Sequence, residues 1–230
     1  MEALYSRYRP EVRAKLAAGR VAVAGLGGLG SQVALALARS GVGHLRLIDF
    51  DVVEPSNLAR QAYGRQHLGR LKTEALAEII RDINPHLDLN LLNLKLDRRN
   101  IPEALAGYPI IVEALDRPES KAELVNSALT SLPRAQKVDG DLGLFPDDRL
   151  QPNRLTTEHC PIRGVVCASG LAGFEEANLI RTRRAGTRLF ICGDEKSEAG
   201  PEMVLTAPRV MIAAGHQANL VLRLLLDLED

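Results

Sequence analysis

The 230-residue sequence is short of cysteine, of net charge and of long apolar runs, and each shortage excludes a class of protein. Its three cysteines, Cys160, Cys167 and Cys192, stand far apart. They form no paired disulfide framework, and without a CxxC pair they offer no zinc site. A reduced, cytoplasmic setting is the expectation. Lysine plus arginine equal aspartate plus glutamate at 29 each, so no global field recruits a polyanion and nucleic acid is not an expected partner. No apolar run reaches the length of about 18 residues that a membrane span needs; even Val221–Leu226 is broken by Arg223. The opening stretch, MEALYSRYRPEVRAK, is charged and lacks the apolar segment of a secretory signal. His44, His67, His86, His159 and His216 show no metal-ligand spacing. Internal repeats and low-complexity tracts are absent.

What is present centres on Val21–Gly30, VAVAGLGGLG. A short apolar run stops at Gly25, Gly27, Gly28 and Gly30, and a helical stretch then opens at Ser31 and ends at Gly41. The pattern reads as strand, tight turn and helix. Glycines let the backbone turn sharply and let a phosphate come close, and the helix N-terminus attracts an anion. A second strand, His44–Ile48, ends at Asp49, 19 residues after Gly30, near the spacing of a ribose-binding carboxylate.

The remaining chain alternates in the same way. Pro10–Ala18 reads as a helix with proline in its first turn, within an N-terminal stretch 1–19. Residues 50–61 are too polar and too proline-broken for a strand. Gly69–Ile83 has helical spacing, and Asn84-Pro85 stops it. Leu87–Leu94 suits an edge strand, Ile101–Ala106 a short helix, Pro109–Leu115 a buried strand and Glu119–Leu129 a helix. Residues 131–161 carry four prolines and little periodicity, which predicts an irregular insert or flap. Gly164–Ala168 resumes as a strand, Asn178–Thr182 and Arg188–Cys192 form a final hairpin, and Ala207–Leu226 is a long apolar helix. The order predicts one α/β domain over residues 1–230, Rossmann-like and doubly wound, with a mainly parallel sheet and late antiparallel strands.

A glycine loop alone is a weak signal, and most proteins with it in this setting bind NAD or FAD. Three additions shift the reading. Asp49 and Asp51 place two carboxylates at the strand end. Asn57, Arg60 and Lys72 follow in the next loop and helix, in reach of phosphates. Asp116 ends the following strand beside the same crevice, where a carboxylate suits Mg²⁺. NAD binding needs only one carboxylate at the strand end, and hydride transfer leaves Asn57, Arg60, Lys72 and Asp116 without a task.

Read together, GLGGLGSQ, LIDFDVVEPSNLARQ, GRLKTEAL, INP and EALD resemble the ThiF/MoeB/HesA family of ubiquitin-activating-enzyme-like adenylyltransferases. GDE at 193–195 and APRVMIAAGHQANLVLRLL at 207–225 resemble its short, zinc-motif-lacking ThiF-like class. The resemblance implies that the C-terminal glycine carboxylate of a small ubiquitin-fold sulfur carrier, ending in Gly-Gly, attacks the α-phosphate of Mg·ATP. Carrier acyl-adenylate and pyrophosphate are the products, in thiamin biosynthesis. It assigns Gly25, Gly27, Gly28 and Gly30 to the nucleotide loop, Asp49 to the ribose, and Asn57, Arg60 and Lys72 to the phosphates. Asp116 goes to Mg²⁺, and Asp51 and Gln61 go to the same motif. Arg60, Lys72 and Asp116 are the expected catalytic residues. The resemblance further implies a homodimer in which an N-terminal arginine, from among Arg7, Arg9 and Arg13, reaches the partner's site. Some members also link to the carrier through a cysteine; Cys160, Cys167 and Cys192 match no motif for it.

Plainer readings stand beside these. The glycines also serve close strand–helix packing, Asp116 also serves as a helix cap, and Lys72 on a surface helix is an ordinary solvated charge. Other functions remain open: a tRNA-modifying sibling, threonylcarbamoyladenosine dehydratase; an NAD-dependent oxidoreductase; and a scaffold that holds a carrier without turnover.

Overall fold

The computed structural model describes residues 4–130, 161–200 and 203–228. The expected insert lies outside the described residues except for Pro161, and Cys160 lies outside them too. In chain order the elements are α1 (Pro10–Ala17), β1 (Arg20–Ala24), α2 (Gly28–Arg39), β2 (His44–Asp49), α3 (Lys72–Ile83), β3 (Asp88–Asn93), α4 (Ile101–Leu105), β4 (Ile110–Glu113), α5 (Pro118–Thr130), β5 (Gly164–Ala168), β6 (Arg181–Arg184), β7 (Leu189–Gly193) and α6 (Ala207–Leu225).

The strands form one seven-stranded sheet in the order β3-β2-β1-β4-β5-β7-β6. Pairing is parallel from β3 through β7; for example, Val21 lies opposite Leu45 on one side and Ile110 on the other. The final hairpin is present, with Arg181 opposite Gly193, but the expectation of late antiparallel strands holds for β6 alone. Strand β7 turns back into the sheet and runs parallel to β5. The strand starts later than 178 because Ala177–Leu179 closes a 3₁₀ turn first.

Alternation along β1 sends its side chains to two cores. Val21 and Val23 pack with Val33 and Leu37 of α2, Leu76 and Ile80 of α3, and Val210 and Leu220 of α6. Ala22 and Ala24 face Ile101 and Leu105 of α4 and Leu124 of α5. Each fully buried leucine in these layers contributes about 1.5–3 kcal/mol. The chain runs outward from β1 to β3 and then crosses to the far side of β1 to lay down β4. Strand order reverses there, between the C-terminal ends of β1 and β4, which is where open α/β sheets place their ligand crevice.

Candidate functional site

The four loop glycines do different work. Gly25 has φ +89°, and a Cβ on it would stand 2.5 Å from the Ala114 carbonyl oxygen. A Cβ on Gly30 would lie 1.8 Å from the Gly25 carbonyl oxygen, so this glycine lets α2 seat against β1. A Cβ on Gly28 would meet Val210 Cγ1 at 3.2 Å and Arg60 Cγ at 3.4 Å. Gly27 is the exception: its nearest neighbour would be Gln61 Nε2 at 3.9 Å. Among the described residues no contact accounts for the missing side chain at Gly27, and its surface there is open to a ligand. Helix α2 starts at Gly28, earlier than the expected Ser31, so the loop itself supplies the first helical turn. Gly27 is its N-cap and no side chain caps it, which leaves N–H groups for an anion.

Asp49 holds this loop in place. It is buried, and its carboxylate accepts the Leu26 N–H at 2.7 Å and the Asp51 N–H at 2.8 Å. A carboxylate has about four acceptor sites, so hydroxyls of a ribose still find room. Residues 51–53 then run beside 69–72 in a short antiparallel bridge, Val52 opposite Leu71, within a segment read as strandless. That bridge and the positive φ of Gly69 delay α3 to Lys72, later than the expected Gly69. Lys72 is buried, and its Nζ donates to Asp51 Oδ2 at 2.7 Å.

The SNLARQ loop folds over the glycines. Asn57 is buried and accepts the Glu54 N–H through Oδ1 at 3.1 Å, which shapes the 3₁₀ turn Pro55–Ala59. Arg60 is half-buried against Gly28 and donates to the Ser56 carbonyl at 3.2 Å. Gln61 is buried, and its Oε1 has no partner among the described residues. Two further contacts were not read from the sequence. Tyr63 donates from its hydroxyl to the Leu26 carbonyl at 2.8 Å, and Ser31 Oγ accepts the Ala62 N–H at 3.2 Å. The one available signal was an aromatic residue two positions past the motif.

On the other side of the crevice, Ala114 N–H bonds the Ala24 carbonyl at 2.8 Å, carrying the end of β4 to the glycine loop. Asp116 follows two residues later. It is exposed and makes no side-chain hydrogen bond among the described residues, so it does not cap α5. Glu113 is read from the sequence only as the first residue of EALD, with no role. This carboxylate is 1% exposed and accepts the Leu115 N–H at 2.7 Å and Lys121 Nζ at 3.0 and 3.1 Å. Burial raises its carboxyl above the usual range, against the downward pull of Lys121 and of the Leu115 and Ala168 backbone.

Neither described cysteine has thiolate character. Burial, and then the Glu113 charge, pushes the Cys167 thiol up; burial pushes Cys192 up to about 11. They pack in opposite cores of the sheet. Arg7 and Arg9 are exposed and Arg13 is half-buried.

The GDE and APR segments meet in a buried ion pair. Arg209 Nη2 donates to Asp194 Oδ2 at 2.6 Å, with the two side chains 4% and 7% exposed. Asp194 also accepts the N–H groups of Lys196 and Ser197 and the Ser197 hydroxyl, each at 2.8 Å. Arg209 Nη1 ties down the Glu175 carbonyl at 2.7 Å. Burial pushes the Asp194 carboxyl up, but the Ser197 and Lys196 bonds and the guanidinium outweigh it and hold it below the usual aspartate range. A carboxyl lowered by folding adds stability above its unfolded value, near 3.9, and loses it as pH falls through the folded value. Asp194→Asn should therefore lower stability at pH 7 by about 3 kcal/mol. It should also flatten the dependence of stability on pH below about pH 4, as read by urea titrations across that range.

A model of the ThiF family matches residues 2–230. The chain belongs to the ThiF family. This ThiF-family chain is 38% identical over 120 residues to the tRNA threonylcarbamoyladenosine dehydratase of Haemophilus influenzae, covering 51% of this chain and 46% of that protein. It is 37% identical over 111 residues to the molybdopterin-synthase adenylyltransferase of the same organism, covering 48% and 46%. It is 39% identical over 108 residues to the SAMP-activating enzyme E1 of Haloferax volcanii, covering 46% and 40%. The matches thus span less than half the length of these relatives. Among solved structures, the chain is similar to the E. coli tRNA N6-threonylcarbamoyladenosine dehydratase in complex with ATP. The TM-score is 0.75 at 19% identity, over 98% of this chain and 93% of that one. That likeness shows the fold. Among the described residues no helix is long and apolar enough to cross a membrane.

Proposed function

We propose that this ThiF-family chain binds ATP at the β1–β4 crevice and adenylylates the C-terminal glycine carboxylate of a small ubiquitin-fold sulfur carrier ending in Gly-Gly, in thiamin biosynthesis. One observation carries the reading: an open Gly27 at an uncapped helix start, with Asp49, Lys72, Arg60 and Gln61 folded around the same loop. Two relatives named as a molybdopterin-synthase adenylyltransferase and a SAMP-activating enzyme support it.

In this reading the helix N–H groups and Gly27 receive phosphate, and Asp49 receives ribose hydroxyls. A carboxylate oxygen bonds to the α-phosphorus, the bond from that phosphorus to the bridging oxygen breaks, and pyrophosphate leaves. Attack by one anion on another needs cations beside both, and Lys72 and Arg60 supply them. Asp116, exposed and without a side-chain partner among the described residues, fits Mg²⁺, which is held by one or two carboxylates together with substrate phosphates. Such an ion, held by Asp116, neutralises phosphate charge when bound. Asn57 acts by shaping the loop. The chain works as a homodimer, with Arg7, Arg9 or Arg13 completing the partner's site.

A second reading, the tRNA threonylcarbamoyladenosine dehydratase, is favoured by the H. influenzae relative of that name. The balance of 29 basic and 29 acidic residues weighs against it, since phosphate contacts need clustered basic charge. Incubation with ATP, Mg²⁺ and candidate carriers, followed by mass spectrometry, separates the two. An added AMP on a Gly-Gly carrier is the expected result. A salt-sensitive tRNA gel shift with no modified carrier overturns the proposal in favour of the second reading.

A further inference from the structure

Lys72 and Asp51 are held together by more than their charges. The Lys72 N–H bonds the Asp51 carbonyl at 2.9 Å, and the Asp51 N–H bonds Asp49 at 2.8 Å. The Val53 N–H bonds the Arg70 carbonyl at 2.8 Å. These bonds lock the two backbones in register, and the 2.7 Å contact between Nζ and Oδ2 then sets the ammonium. Burial within the pair is unequal. The Lys72 side chain is 7% exposed and that of Asp51 is 46% exposed. The carboxylate keeps its water, while the ammonium has lost most of its own and requires a countercharge.

We infer that Asp51 is a positioning residue that seats the Lys72 ammonium at the crevice and takes no direct part in holding the nucleotide. The inference rests on the ATP-site reading above. A lysine stem is flexible and, left alone, samples many rotamers; a backbone-locked carboxylate selects one. Direct contact between Asp51 and a polyphosphate would place like charges together. Asp51 therefore acts through Lys72, and its effect on binding vanishes when that ammonium is gone.

A double-mutant cycle on the full chain tests this, read as the Mg·ATP dissociation constant by calorimetry without any carrier. Asp51→Asn should weaken ATP binding about tenfold, and Asp51→Glu should recover most of the loss. In a Lys72→Met background, Asp51→Asn should change binding by less than about twofold. Equal losses in both backgrounds, or wild-type affinity in Asp51→Asn, overturn the assignment while leaving the ATP site standing. A wild-type chain that binds no ATP overturns the site reading and this assignment with it. If melting curves show that Asp51→Asn does not fold, Asp51→Ser runs the same cycle with the same two outcomes.

Discussion

Lys72→Met should lower carrier-dependent ATP–pyrophosphate exchange by about 10²–10³-fold, the loss typical of removing one preorganised group that stabilises developing charge. The expectation follows from burial. A buried cation acts in a lower effective dielectric than one in bulk solvent, so each ångström of placement matters more. The chain should survive the change. Methionine keeps most of the apolar stem, and the abandoned partner, Asp51, is exposed enough to return to water. The reverse substitution is harsher on folding, because Asp51→Asn leaves a buried ammonium without its countercharge. Exchange at wild-type rate in Lys72→Met would remove Lys72 from the chemistry.

Gly30→Ala should severely damage stability, with Gly25→Ala close behind. A methyl at residue 30 would meet a backbone oxygen at 1.8 Å, and one at residue 25 would meet another at 2.5 Å with φ at +89°. Neither neighbour is a flexible side chain that swings aside. A loss above about 4 kcal/mol is expected, against total stabilities of about 5–15 kcal/mol. Chemical denaturation measures it. Gly27→Ala is the control. Its methyl would meet nothing nearer than 3.9 Å, so the fold should keep its melting temperature. ATP affinity should nevertheless fall about tenfold, because the methyl occupies the approach of a phosphate. Unchanged ATP binding in Gly27→Ala would mean that phosphate lies elsewhere.

Strand–turn–helix order was legible because hydrophobic period and glycine placement are local signals. The helical spacing of Leu76 and Ile80 and the apolar run before Gly25 needed no tertiary information. Errors arose where tertiary structure overrode a local preference. Low helix propensity argued against starting α2 at Gly28, yet the Ser31 N–H bonds the Gly27 carbonyl at 3.1 Å and closes the first turn there. The hairpin at 181–193 was visible from its turn, but which of its strands joins β5 is decided by burial, and Phe190 and Cys192 of β7 are the buried ones. At the site, the motif residues were readable from spacing, and their couplings were not. Lys72 and Asp51 are 21 positions apart, and nothing in either segment announces the pair. Glu113 sat inside an apolar run and read as part of a strand; its ion pair depends on Lys121, which belongs to another element.

The contact between Gly28 and Val210 closes a long loop of sequence. The start of α2 near residue 28 leans on a helix that begins at 207, so a nascent chain that has emerged only through β5 owns a glycine loop without the helix behind it. If the crevice binds ATP as proposed, capture waits for α6. A ribosome-stalled series read by a fluorescent ATP analogue would see affinity appear in a single step once α6 has left the exit tunnel.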